Sequence, residues 1–260
     1  MNTLLSIALH KASRKELPVN KLLILFRSIL SKPIPVSSKV ELIFEMASIG
    51  AEGFNILTSQ LASKINDVIL QAGYNRLKLL LVHLAYICPE CFTKFINLFR
   101  EPLSSRLIKR HFNDAIQLAI EIARVNEELG VIFVRNYSEV FLNLSKNEGI
   151  SHLSQVVLYI AKLGYRKLAW QIFDGLIDTF INQGADSVKL AWLLRTLSKV
   201  DNDFLNQVVN RLRDPLLEII NRSSESERKK FISIVCKDKN VLQQIRSSLK
   251  FDFEPECLVY

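Results

Sequence analysis

Glycine and proline are scarce, with eight and seven residues in a chain of 260. That is too few for a fold of many tight turns and short strands. Cysteine is rarer still. Cys88, Cys91, Cys236 and Cys257 are too few and too scattered to staple a chain of this length, so no disulfide framework is expected and a reducing, cytoplasmic setting is the default. No apolar run reaches the ~18 residues that a membrane span requires, so no membrane partner is predicted. The opening stretch from Met1 to Leu9 is apolar, but Lys11, Arg14 and Lys15 follow it rather than precede it. That is the wrong order for a secretory signal. An amphipathic organelle presequence is the other reading of this stretch, although the repeat described below claims the same residues for the fold.

Catalytic patterns are missing too. The four histidines, His10, His83, His111 and His152, are dispersed, and no H-E-x-x-H, G-x-S-x-G or glycine-rich phosphate loop occurs. No catalytic, cofactor-binding or metal-ligating residue is predicted, and the chain is not expected to be an enzyme.

What is present favours helices. Hydrophobic residues make up 49% and charged residues 23%, and Leu, Ile, Lys, Glu and Ala are all good or fair helix formers. The net charge of +8 raises the prior for an anionic partner. It is spread unevenly: residues 1–40 carry seven Lys and Arg against Glu16 alone, residues 112–160 carry three against six acids, and residues 251–260 carry three acids and no base.

A repeat organises the whole chain. Pairs of an aliphatic and a small residue recur as Ile7-Ala8, Met46-Ala47, Leu84-Ala85, Ile122-Ala123, Ile160-Ala161, Leu197-Ser198 and Val235-Cys236, with spacings of 39, 38, 38, 38, 37 and 38. Four residues before the small one stand Leu4, Ile43, Leu81, Ala119, Val157, Leu194 and Ile232, all apolar. Positions −4, −1 and 0 share one face of a helix, and a small residue there lets a neighbouring backbone come close. Three residues later come Lys11, Gly50, Cys88, Asn126, Gly164, Asp201 and Lys239. The Gly, Asn and Asp among these predict helix ends in the left-handed conformation.

A second helix follows, with apolar residues at +7, +11 and +14, such as Phe92, Ile96 and Phe99, or Leu205, Val209 and Leu212. Connectors are predicted at Ser31-Lys32-Pro33-Ile34-Pro35, Glu101-Pro102, Asn147-Glu148-Gly149 and Gln183-Gly184. Each unit thus reads as helix, tight turn, helix, connector. The units fall roughly at 1–35, 36–73, 74–111, 112–149, 150–185, 186–223 and 224–250. One such hairpin cannot bury its own apolar stripe, whereas stacked neighbours can.

The unit Ile160-Ala161-Lys162-Leu163-Gly164-Tyr165-Arg166-Lys167-Leu168-Ala169-Trp170-Gln171-Ile172-Phe173 resembles the helical hairpins of the tetratricopeptide-like and HEAT-like superfamily of α-solenoids. The resemblance runs through nearly the whole chain at the level of architecture. The period of about 38 departs from the 34 of a standard tetratricopeptide repeat, and the Trp-Leu-Gly-Tyr signature is absent, so no peptide pocket is carried over. The resemblance implies an all-α, right-handed solenoid of about seven helix-turn-helix repeats over residues 1–250, followed by an acidic, aromatic tail over 251–260. The tail reads either as a cap on the last hairpin or as a docking peptide.

One candidate surface emerges. Arg124, Lys162, Lys199 and Lys237 each follow the small position by one residue, so stacking would set them in a row able to meet an anionic partner. The competing explanation is local, because a cation at a helix C-terminus gains about 0.3–1 kcal/mol from the helix dipole. Other basic groups, Arg106, Lys109 and Arg110, and Arg228, Lys229 and Lys230, read as solvated faces. Cys88-Pro89-Glu90-Cys91 supplies two ligands where structural zinc needs four. In the repeat register, Cys88 stands in the turn and Pro89 starts the next helix. Phe44, Phe92, Trp170 and Trp192 read as core. Two functions follow as expectations: a non-catalytic scaffold for a protein partner, and, as the alternative, a repeat protein that holds nucleic acid by its backbone. An enzyme subunit comes third.

Overall fold

A computed structural model describes residues 18–249. The first helix of the first repeat, the basic residues Lys11, Arg14 and Lys15, and the tail over 251–260 lie outside the described residues. Within them the chain forms sixteen α-helices and no strand. They are α1 (Val19–Leu30), α2 (Val36–Ala47), α3 (Ala51–Gln60), α4 (Ala62–Gln71), α5 (Tyr74–Ile87), α6 (Pro89–Leu98), α7 (Arg100–Leu107) and α8 (Phe112–Val125), then α9 (Glu127–Asn136), α10 (Ser138–Ser145), α11 (Ile150–Lys162), α12 (Arg166–Asn182), α13 (Ser187–Leu197), α14 (Asn202–Arg222), α15 (Glu225–Cys236) and α16 (Lys239–Leu249). The chain divides into two compact units between Leu144 and Ser145.

The repeat columns are the core columns. Ile43, Leu81, Ala119, Val157 and Leu194 are all fully buried, and so are Met46, Leu84, Ile122, Ile160 and Leu197. The small residues Ala47, Ala85, Ala123 and Ala161 are buried beside them. The close approach they permit is sharpest in the fourth hairpin. A methyl group built on Gly130 of α9 would lie 2.8 Å from Cβ of Ala123 and 3.1 Å from the carbonyl oxygen of Ala119, both on α8.

Within each unit the hairpins line up in two rows. In residues 18–144, α2, α5 and α8 pack on one another in order, while α1, α3, α6 and α9 form the second row. In residues 145–249, α11, α13 and α15 form the first row, and α14 packs on α16 in the second. Arg211 of α14 reaches back to α12, with Nε 2.6 Å from Asp174 and Nη2 2.7 Å from Asp178.

The turn between the two helices of a hairpin is made in two ways. Gly50 and Gly164 adopt φ of 97° and 94°, a region that favours glycine. With ψ of 167°, Gly50 is extended and not in the left-handed helical conformation expected. Asn126 and Asp201 do not enter the positive-φ region, with φ of −157° and −174°. Instead they cap the helix that follows: Asn126 Oδ1 accepts the N–H of Glu128 and Asp201 Oδ1 accepts that of Phe204. A carboxylate or amide side chain satisfies an orphan donor at a helix start, and this local gain replaces the positive-φ turn. Asp201→Ala should therefore cost about 1–2 kcal/mol in urea denaturation, mostly from the lost cap, because the half-exposed Arg166–Asp201 ion pair adds little. Asp201→Asn keeps the acceptor and should recover most of the loss. If Asn behaves like Ala, the ion pair rather than the cap holds the turn.

The second helix of a hairpin is not continuous throughout. In hairpins two, three and four it breaks at Leu61, Phe99 and Tyr137, which share φ between −107° and −109° and are spaced 38 apart. These are the +14 positions, and all three side chains are buried. Pro102, three residues after Phe99, cannot donate an N–H to the carbonyl four residues earlier. Pro215 at the same register lies inside the unbroken α14, so proline alone does not account for the break. Glu101 and Pro102 lie in the first turn of α7 rather than in a connector, which is displaced to 108–111. Near Leu61 and Tyr137 no proline acts. In hairpins five and six the +14 positions are Gly175 and Leu212, and α12 and α14 run through them unbroken.

Candidate interaction surface

Arg124 and Lys162 lie in the last turns of α8 and α11, Lys199 just beyond α13, and Lys237 at the C-cap of α15. All four are exposed, and none joins an ion pair or a side-chain hydrogen bond among the described residues. Arg124 belongs to the first compact unit and the other three to the second. Within the second unit, side chains tie the successive turns together. Arg166 Nη2 pairs with Asp201 Oδ2, and the Ser198 hydroxyl donates to Asp238 Oδ2 at 2.7 Å. These contacts hold the ends of α11, α13 and α15 side by side, so Lys162, Lys199 and Lys237 follow one another along one edge. Asp201 and Asp238 lie on the same edge, so its charge is mixed.

Of the remaining basic groups, Lys109, Lys229 and Lys230 are exposed, as solvated faces are, whereas Arg106, Arg110 and Arg228 are built into the fold. Arg106 Nη2 donates to the carbonyl of Ala72 at 2.6 Å, closing the end of α4. The Arg110 guanidinium lies 4.8 Å from the centre of the Tyr74 ring. Arg228 donates to the carbonyls of Ile220 and Asn221 at 3.0 and 2.8 Å, capping the end of α14, and Lys229 pairs with Glu225 at 2.6 Å. A guanidinium offers several donors in a fixed fork, which suits it to collecting orphan carbonyls. That use cannot be told from a surface charge by composition alone.

Tyr74 is another tie between neighbours. Its hydroxyl donates to the carbonyl of Asp114 on α8 at 2.7 Å, and burial, with the Asp114 carboxylate next, pushes its pKa up to about 12. Below that pH the phenol keeps its proton and the hydrogen bond. Lys78 and Glu121 pair at 2.6 Å across the same two helices, α5 and α8.

Two further expectations change. Cys88 and Cys91 are joined by a disulfide, although so few scattered cysteines predicted none. Cys88 does stand at the turn, as the N-cap of α6 with Pro89 at its first position. Three residues apart at a helix start, the two sulfurs fall on the same side of the first turn. Trp192 is not core: it is 49% exposed, with the Arg195 guanidinium 5.2 Å from its ring centre. The buried residues of α13 are Ser187, Leu190, Ala191, Leu193, Leu194 and Leu197, so Trp192 falls on the flank that this stripe leaves uncovered. Phe92 is buried, while Phe44 and Trp170 are half-buried.

An apolar stripe that the sequence reading missed lies on α5. Leu79 and Tyr86 are 48% and 75% exposed. With His83 they recur at intervals of four and three residues, which sets them on one helix face. The His83 ring lies 4.6 Å from that of Phe44 on α2, extending the patch to the next helix. The signal was present in the sequence, since these residues fall off the core columns, but only packing shows that nothing among the described residues covers them. A polar groove of about 680 Å³ also opens beside Pro215, lined by Asp178, Asp186, Glu218 and Glu227. Its carboxylates are already engaged with Arg211, Lys189, Arg222 and the N–H and hydroxyl of Ser224. No group of three or more His, Cys, Asp or Glu is placed to hold a metal ion among the described residues, and no helix there is long and apolar enough to cross a membrane.

The described residues thus form an all-helical protein whose helices pack against their neighbours. No family model, curated protein or solved structure matches the chain significantly.

Proposed function

We propose that this chain is a non-catalytic scaffold of the tetratricopeptide-like or HEAT-like kind, a right-handed solenoid of about seven hairpins that binds a protein partner. The observation that carries the reading is the exposed stripe of Leu79, His83 and Tyr86 beside Phe44. Large apolar groups concentrated on one helix face, outside the core stripe, are what a protein interface supplies and a solvated surface does not need. The use of Arg106 and Arg228 in helix ends, and of Arg110 on the Tyr74 ring, supports it further, because those side chains are engaged within the fold.

The second reading is a nucleic-acid-binding repeat protein, favoured by the exposed edge of Lys162, Lys199 and Lys237. Affinity purification of three proteins separates the two: wild type, Leu79→Lys with Tyr86→Asp, and Arg124, Lys162, Lys199 and Lys237 all changed to Gln. The scaffold reading expects a protein partner that is retained by the quadruple variant and lost from the stripe variant. The alternative expects single-stranded nucleic acid to bind with a log–log salt slope of about −3, at roughly −0.7 per phosphate, and expects the quadruple variant to flatten that slope. Tight nucleic-acid binding with that slope, and no partner that depends on the stripe, would overturn the scaffold.

A further inference from the structure

We infer that Cys88 and Cys91 form a thiol–disulfide exchange site that passes two electrons to and from an external dithiol or disulfide. Three features of the pair meet at this point. The sulfurs are joined, so they lie within bonding reach in the folded chain. They differ in access: Cys91 is fully buried while Cys88 is partly exposed. The N–H of Cys91 also points at Sγ of Cys88, at 3.2 Å, at the start of α6, where Pro89 leaves the first turn without one donor of its own. A donated N–H and a helix N-terminus both stabilise negative charge on a sulfur. That is what a reacting cysteine requires and a purely structural one does not.

The asymmetry assigns the roles. In the reducing direction, an external thiolate attacks the accessible Sγ of Cys88. The bond to Cys91 breaks, its electron pair leaves on the Cys91 sulfur, and that sulfur takes up a proton. The mixed disulfide on Cys88 is then resolved by the second thiol of the external dithiol, which ends as a disulfide and leaves Cys88 reduced. The reverse begins with Cys88 attacking an external disulfide, and Cys91 then attacks Cys88 Sγ to expel the second thiol. Each cycle moves two electrons and two protons and needs no other reactant. Burial of Cys91 protects the resolving sulfur from outside reagents, so the mixed disulfide forms at Cys88 alone.

This site is independent of the scaffold reading, and its test does not use a binding partner. The full chain is equilibrated in buffers of reduced and oxidised dithiothreitol, and free thiols are blocked by alkylation. Tryptic peptide 79–94, which holds both cysteines and no other, is then read by mass. The two thiols should appear together in one two-electron transition while circular dichroism stays unchanged. In Cys91→Ser, Cys88 should form a mixed disulfide with oxidised glutathione at least about tenfold faster than the same cysteine does in the urea-unfolded chain. A pair that opens only when the helices unfold, thiols that appear one at a time, or a Cys88 no faster than its unfolded counterpart would each overturn the assignment.

Discussion

Replacing Ala123 with Leu should destabilise the folded chain by about 1–3 kcal/mol, the range found when methylenes are forced into a packed core. Ala123 faces Gly130, where even one added carbon would lie 2.8 Å from it. Three more carbons on Ala123 meet α9 backbone rather than the end of a flexible side chain. The converse change, Gly130→Ala, tests the same contact from the other side. Alanine would gain roughly 1 kcal/mol of helix propensity over glycine. Its methyl group would however meet Cα of Ala123 at 3.2 Å and the carbonyl of Ala119 at 3.1 Å, and neither moves without its helix. The clash should win and the variant should lose stability. Gln155→Leu, at an exposed position of α11, should change stability by less than about 0.5 kcal/mol. Urea denaturation of the three variants decides the matter, and equal effects at Ala123 and Gln155 would mean that the close contact is misplaced.

The larger loss should come from Tyr137→Ala, at about 3–5 kcal/mol. Tyr137 is fully buried, its ring centre lies 4.9 Å from that of Phe133, and its hydroxyl donates to the carbonyl of Ile96 in the preceding hairpin at 3.1 Å. Burial pushes its pKa well above the ordinary phenol range, so the proton that makes this hydrogen bond is held at any physiological pH. Tyr137→Phe keeps the ring and leaves that carbonyl without the hydroxyl donor, and should cost about 1–2 kcal/mol. The difference between the two variants separates ring packing from the hydrogen bond. A loss under 1 kcal/mol for Tyr137→Ala would show that the break in the second helix does not depend on this anchor.

Much of the fold was legible because helix packing writes itself as period and size. The small column at Ala47, Ala85, Ala123 and Ala161, and the apolar columns before it, fall where the core lies. Gly50 and Gly164 were legible as positive-φ positions, since little besides glycine favours that region. Asn126 and Asp201 were misread, because the same side chains serve equally well as N-caps and the choice depends on the helix that follows. The breaks at Leu61, Phe99 and Tyr137 repeat at the same period as the core columns, yet no residue type marks them, so only backbone geometry reveals them. The candidate surface was less legible. Arg124, Lys162, Lys199 and Lys237 each fall at or just past a helix end. Arg106, Arg110 and Arg228 were misread because a guanidinium that caps a distant carbonyl or lies on a ring looks, in one dimension, like any surface charge. Trp192 and the Leu79–Tyr86 stripe show the limit from the apolar side, since hydrophobicity reports what a residue prefers and not whether anything arrives to cover it.

The broken second helices have a consequence for how the chain acquires its structure. The segments on either side of Leu61, Phe99 and Tyr137 are 8 to 10 residues long, below the roughly 12–15 residues at which a helix begins to persist alone in water. The corresponding helices after residue 145 run to 17 and 21 residues. The second helices of the later hairpins can therefore flicker into existence before any neighbour has docked, whereas the shorter segments within 51–71 and 89–107 must wait for theirs. Peptides spanning 166–182 and 202–222 should show residual helicity where peptides spanning 51–71 and 89–107 show next to none. Of the second helices, those that come earlier in the chain thus owe more of their structure to their neighbours than to themselves.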